Sequence, residues 1–248
     1  MMRDVIAAEW LKVRSLRSTR WTVAGIVPAV AGAAAADAYT NQPGSRFELG
    51  DAFPPAGFLV LIVVATGFGA STMLGEYSSG LIRATSVAVP ARAAVIGAKA
   101  AVLVALWTVA GTVIAASSFA VAGLVLGDVT LSRPGTGAAL LAAILIGPVC
   151  ALIGLSLAVL VRHPGAVYVS GIVLLVLAPQ MVSTRRELPR AINHAMLLPA
   201  WQRLTQAYGT PEAAGDIYTT AVQAWLVYAL WPLTLLGAAV WVHRRRDV

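Results

Sequence analysis

Residues 75–99 read GEYSSGLIRATSVAVPARAAVIGAK, a polar and basic segment that separates two long apolar runs. Glu76, Gly80 and Arg83 follow one another at intervals of four and three residues, so in a helix they share one face. Pro90 is expected to end that helix, because proline disfavours helical backbone at the residue before it and suits the first turn of a following helix.

The same proline predicts a second short helix, which carries Arg92, Ile96 and Lys99 on one side. Residues 75–99 are therefore expected to form two short helices with a kink. A charged helical pair between membrane spans is typical of a surface that faces a protein partner.

The rest of the chain is dominated by apolar residues. Of its 248 residues, 58% are hydrophobic and 12% are charged, which excludes an ordinary soluble domain. Six segments are apolar over the roughly 20 residues needed to cross a bilayer; they are residues 21–39, 56–75, 100–127, 137–161, 165–182 and 221–242. The sequence predicts an all-α polytopic membrane protein, with one transmembrane domain over residues 1–248.

The distribution of Lys and Arg predicts which ends of the spans face the cytoplasm. Positive residues near span ends are retained inside, and 12 of the 18 lie on inner segments if the amino terminus is inside. Both termini are then cytoplasmic, although four arginines in the outer 183–220 segment conflict with this assignment. The net charge of +7 indicates anionic lipid headgroups rather than nucleic acid, because the basic residues cluster at span ends.

Two flanking segments are expected to be helical without crossing the membrane. Residues 2–20 predict an interfacial helix whose apolar side, interrupted by Glu9, is formed by Val5, Ile6, Trp10, Val13 and Leu16. Between the fifth and sixth spans, residues 191–201 are too short to cross and are interrupted by Pro199. A hairpin of short helices is predicted there, with Trp201, Leu204 and Tyr208 on the apolar side of the second helix.

The first span has small residues at helical spacing, from Gly25 to Ala36. This face could be a subunit interface. The alternative is that this spacing of small residues only reflects the abundance of alanine throughout the chain.

The Glu-Tyr-Ser of residues 76–78, followed by Gly80, Arg83, Pro90, Arg92 and Lys99, strongly resembles the cytoplasmic coupling segment of ABC type-2 transporter permeases. The small six-span actinobacterial members are especially similar. The resemblance implies a permease subunit in the bacterial plasma membrane, assembled as a homo- or heterodimer with two ATPase subunits. In that family an amino-terminal elbow helix also touches the ATPase, often through a Glu-x-x-Lys that Glu9 and Lys12 match.

The residues that the resemblance assigns to ATPase coupling are Glu76, Gly80, Arg83, Pro90, Arg92, Lys99, Glu9 and Lys12. Reversing the charge of Glu76 or Arg83 is expected to uncouple the transporter without unfolding it, on the premise that both side chains lie on the surface. The alternative interpretation of residues 2–20 is a simple membrane anchor, whose basic residues stay on the cytoplasmic side and whose Trp10 and Trp21 lie at the depth of the lipid headgroups.

The sequence contains no P-loop, so ATP hydrolysis is expected in a partner chain. No catalytic residue, cofactor or metal site is predicted. The alternatives are a membrane-embedded lipid-modifying enzyme, or an accessory or sensory membrane protein.

The polar groups within the spans are mainly hydroxyls, which suits an amphipathic substrate such as a drug, an antibiotic peptide or a lipid-like molecule. They are Ser71, Thr72, Thr108, Thr112, Ser117, Ser118, Ser156 and Ser170. These side chains could equally bond their own helices or join neighbouring spans.

Overall fold

The computed structural model describes residues 2–40, 49–80, 92–126, 134–182, 187–207, 209–210 and 219–245. Within these ranges the chain forms nine helices. They are α1 (Met2–Ser15), α2 (Arg17–Thr40), α3 (Pro55–Ser79), α4 (Arg92–Leu126), α5 (Thr136–Val161), α6 (Pro164–Met181), α7 (Glu187–His194), α8 (Leu197–Thr205) and α9 (Ala221–Arg245). A 3-10 turn at Leu49–Ala52 precedes α3.

Six of these helices are long and apolar enough to cross a membrane, which confirms the predicted fold class. They are α2, α3, α4, α5, α6 and α9. The largest difference from the predicted spans is in α4, which begins at Arg92 rather than near residue 100. The end of the bundle that carries α1 is called the α1 face below.

Helix α5 is the centre of the bundle. Helices α3, α4 and α9 pack along it, and α8 of the hairpin contacts it as well. In α5, 72% of the most apolar 18-residue stretch is buried inside the chain, compared with 22% of the corresponding stretch in α2 and 17% in α9. The peripheral spans therefore present most of their apolar surface outward, as expected for helices that face lipid or another subunit.

Glycine allows α3 and α5 to approach until their backbones touch. A Cβ at Gly69 would overlap the carbonyl oxygen of Ala151, and one at Gly154 would overlap the carbonyl oxygen of Thr66. Such small-residue crossings are typical of membrane helices, whose association depends on close van der Waals packing.

Helix α6 contains one π-helical turn, Val173–Leu177, just before Pro179. Proline has no backbone N–H and disturbs the regular bonding of the preceding turn. In the wider turn, the N–H of Ala178 instead donates to the carbonyl of Val173, five residues back.

The predicted hairpin between the fifth and sixth spans is present as α7 and α8, at the end opposite the α1 face. Trp201 of α8 is fully buried and stacks on Phe58 of α3, with 5.0 Å between ring centroids. Leu204 is buried beside it, and Tyr208 lies outside the described residues. Asn193 of α7 donates a 2.8 Å hydrogen bond to the carbonyl of Pro179, which ties the hairpin to the end of α6.

The structure corrects the expectation of two separate short helices in residues 75–99. The helix containing Glu76 is the last part of α3, and Lys99 lies in the first turns of the continuous α4. Gly80 ends α3 with φ of 69°, a left-handed conformation that glycine adopts without a Cβ clash. Gly80 therefore does not continue a helical face from Glu76.

Candidate functional site: a buried ion cluster

Four charged side chains from three helices meet at the α1 face. The ammonium of Lys99 donates to Glu9 Oε2 at 2.7 Å and to Glu76 Oε1 at 2.8 Å. It also donates to the carbonyl of Thr72 at 3.3 Å, so all three of its N–H groups have acceptors. These contacts join α1, the end of α3 and the start of α4.

Lys12 closes this ion cluster, which consists of Glu9, Lys12, Glu76 and Lys99. Its Nζ lies 2.7 Å from Glu9 Oε1 and 2.8 Å from Glu76 Oε1. Partial burial disfavours the charged ammonium, but the hydrogen bonds and negative charges of Glu76 and Glu9 outweigh this and raise the pKa of Lys12 above its ordinary value. Lys12 is therefore positively charged at neutral pH.

Burial differs sharply within the ion cluster. The side chains of Lys99, Glu9 and Glu76 are 2%, 6% and 7% exposed, whereas that of Lys12 is 40% exposed. Two carboxylates and two ammonium groups give the ion cluster no net charge. Because removing buried charges from water is unfavourable, their pairing and hydrogen bonding are what permit this arrangement.

The position of Glu9 explains the interrupted apolar side of residues 2–20. Glu9 and Val13 are the buried residues of α1, and Val5 and Ile6 are partly buried beside them. Trp10 is 41% exposed, so it does not belong to the protein-facing side. The helix docks with a carboxylate at the centre of its contact surface because Lys99 provides the opposite charge.

The structure thus brings together four of the eight residues assigned to coupling. Gly80 is near them in the chain as the residue that ends α3. Arg83 and Pro90 lie outside the described residues, and Arg92 is described only as the first residue of α4.

The burial of Glu76 overturns the premise that it is a surface charge. Reversal at this position would place three positive groups, two of them Lys12 and Lys99, around the one remaining carboxylate of Glu9, which is strongly destabilising. Charge reversal of Glu76 is therefore not a clean test of coupling, and milder changes at the partly exposed Lys12 are better suited.

Arg162, at the α1 face, is in the sequence only one of several basic residues at span ends. Arg162 ends α5 with φ of 59°, and its guanidinium lies over the ring of Tyr77, 5.2 Å from the centroid. Its Nε and Nη2 atoms are buried without a hydrogen-bond partner among the described residues. Neither the contact with Tyr77 nor the burial of these nitrogen atoms could be read from the sequence, because both depend on how α3 and α5 cross.

The hydroxyl groups in the spans are mostly engaged with backbone carbonyls. Ser71, Thr72 and Thr112 donate to carbonyls three or four residues earlier in their own helices, at 2.7–2.8 Å. Ser117, Ser156 and Ser170 do the same. Ser118 donates instead to the carbonyl of Ala52, in the 3-10 turn before α3, at 2.6 Å. These contacts favour a structural role for these hydroxyls over the lining of a path.

No family model matches this chain, and no curated protein matches it.

Proposed function

We propose that this chain is the membrane subunit of an ATP-driven exporter of the ABC type-2 permease class. The observation that supports this best is the ion cluster, because it joins the amino-terminal helix to both helices that flank residues 80–91. A displacement of either α1 or residues 80–91 by a bound partner would therefore move α3 and α4 together.

The mechanical argument rests on the burial and number of the contacts. Lys99 and Lys12 each bridge the same two carboxylates, so α1 cannot separate from α3 and α4 without breaking several charge-assisted hydrogen bonds. The three helices therefore respond as one unit. A partner that binds α1 and residues 80–91 differently in its two nucleotide states would shift the bundle between conformations.

The proposed assembly contains two permease subunits and two ATPase subunits, with both permease termini in the cytoplasm. The proposed substrate is amphipathic, such as a drug, an antibiotic peptide or a lipid-like molecule. The apolar spans support this substrate class, because a strongly polar solute would need ionisable groups along its path.

The first test replaces Lys12, because it is the most exposed member of the ion cluster and its substitution should disturb the fold least. Lys12→Gln is expected to reduce ATP-dependent transport at least roughly tenfold, and to cost less stability than removal of the buried Lys99 because Lys12 is partly exposed. Arg14→Gln is the matched control, because it removes the same charge from an exposed position on α1. The measurement is transport and ATPase activity in vesicles that contain the tagged chain and the subunits purified with it.

Two results would contradict the proposal. One is that no P-loop protein copurifies with the tagged chain and ATP drives no transport. The other is that Lys12→Gln transports as well as Arg14→Gln.

The second test concerns the sidedness of the α1 face. In a Cys150→Ala background, a cysteine at the exposed Ser79 is expected to resist an impermeant thiol reagent applied outside the cell, whereas a cysteine at the exposed Thr210 should react. Labelling is read by mass shift on a gel. Reaction at Ser79 from outside would invert the topology and remove the cytoplasmic coupling site.

A further inference from the structure

A groove at the start of α2 is lined by Arg17, Arg20, Trp21 and Ala24 and has a volume of about 400 Å³. Arg20, Trp21 and Ala24 follow Arg17 by three, four and seven residues. All four residues therefore share one face of the first two turns of α2. Both arginines are exposed, and the Trp21 side chain is 77% exposed. The groove is therefore open, basic and partly aromatic.

The positive charge of this groove is not neutralised within the described part of the chain. Neither arginine forms an ion pair there, and Glu9 and Glu76 of the α1 face are paired with Lys12 and Lys99 instead. The amino-terminal end of α2 adds the positive end of a helix dipole. An anion bound between Arg17 and Arg20 would relieve this accumulation of like charge.

We propose that this groove binds the phosphate of an anionic phospholipid headgroup from the leaflet at the α1 face. The two guanidinium groups supply planar donors for phosphate oxygens. The inference does not depend on the proposed transport function, because lipid binding requires neither an ATPase nor a substrate.

The position of the groove favours a lipid over a soluble anion or an acidic protein. Helix α2 is a candidate membrane span, so its first two turns lie at headgroup depth. Trp21 is suited to that depth, since its indole has an apolar ring and one polar N–H. The exposed apolar surface of α2 continues from Ala24 in the direction that an acyl chain would follow.

The experiment is titration of the purified chain with phosphatidylglycerol, phosphatidylcholine or inorganic phosphate, with bound adducts counted by native mass spectrometry. Arg17→Gln/Arg20→Gln is expected to lower the affinity for phosphatidylglycerol roughly 30-fold, at about 1 kcal/mol for each arginine. Arg244→Gln/Arg245→Gln removes the same charge from exposed residues at the same face and is expected to change the affinity less than about threefold. Because all four side chains are exposed, both variants should fold.

Several outcomes would overturn the inference. Equal loss in both double variants would show diffuse attraction rather than a site. Inorganic phosphate or phosphatidylcholine that binds as tightly as phosphatidylglycerol would exclude an anionic lipid as the preferred ligand. Undiminished phosphatidylglycerol binding in Arg17→Gln/Arg20→Gln, with loss of a copurifying protein, would assign the groove to a protein partner.

Discussion

Replacing Lys99 with methionine is expected to destabilise the protein by about 3–5 kcal/mol, because the change leaves two buried carboxylates with a single half-exposed ammonium. Methionine is similar in length to the aliphatic part of lysine, so loss of packing contributes little. The measurement is thermal unfolding in detergent, followed by tryptophan fluorescence.

Two further variants separate the charge effect from other causes. Lys99→Met/Glu76→Gln restores neutrality by leaving Glu9 paired with Lys12, and it should recover a large part of the lost stability. Lys12→Met should cost much less than Lys99→Met, because Lys12 is 40% exposed and Lys99 is 2% exposed. Equal stability of Lys99→Met and the unchanged protein would show that the ion cluster does not hold α1 in place.

The six spans were predictable because each needs only length and apolar composition, and these are local properties. The predicted bounds of α5, residues 137–161, differ from the observed Thr136–Val161 by one residue. Residues 92–99 were expected to form a separate short helix, and their continuity with the span in α4 was missed. Arg92 and Lys99 are charged, and charge within a window lowers its mean hydropathy even where, as for Lys99, a tertiary partner neutralises it.

The ion cluster was predictable in its members but not in its contacts. Glu9, Lys12, Glu76 and Lys99 were all assigned to coupling, yet their sequence positions do not reveal that they meet. The interruption of the apolar side of α1 by Glu9 was the local signal, since a carboxylate on a docking surface requires a buried cation. Identifying that cation required the packing of α1 on α4.

For the small residues, the sequence indicated a face that permits close packing but not which helices pack closely. The small-residue face of α2 is exposed at Gly25, Ala29, Gly32 and Ala36, and a Cβ at either glycine would meet no atom within 4 Å. Within the chain, the close crossing lies at Gly69 and Gly154. The interpretation of the α2 face as a subunit interface stays a prediction. Spacing identifies a face that permits close approach, but the partner helix and its depth decide which face is used.

Gly69→Ala and Gly154→Ala are each expected to destabilise the bundle by about 1–3 kcal/mol or more. The added Cβ would overlap a backbone carbonyl of the facing helix, which cannot rotate away as a side chain can. Alanine is favoured over glycine in a helix by about 0.5–1 kcal/mol, so this gain is smaller than the expected overlap penalty. The measurement is again thermal unfolding in detergent, with size-exclusion chromatography to detect aggregation.

Gly237→Ala in α9 and Gly25→Ala in α2 are the matched controls, because both glycines are helical and open around the Cβ position. They should leave stability unchanged or raise it slightly through helix propensity. The double variant Gly69→Ala/Gly154→Ala should cost less than the sum of its parts, since both overlaps occur at one crossing and one separation of α3 from α5 relieves both. If all four single variants unfold at the same temperature, the two helices do not touch through their backbones.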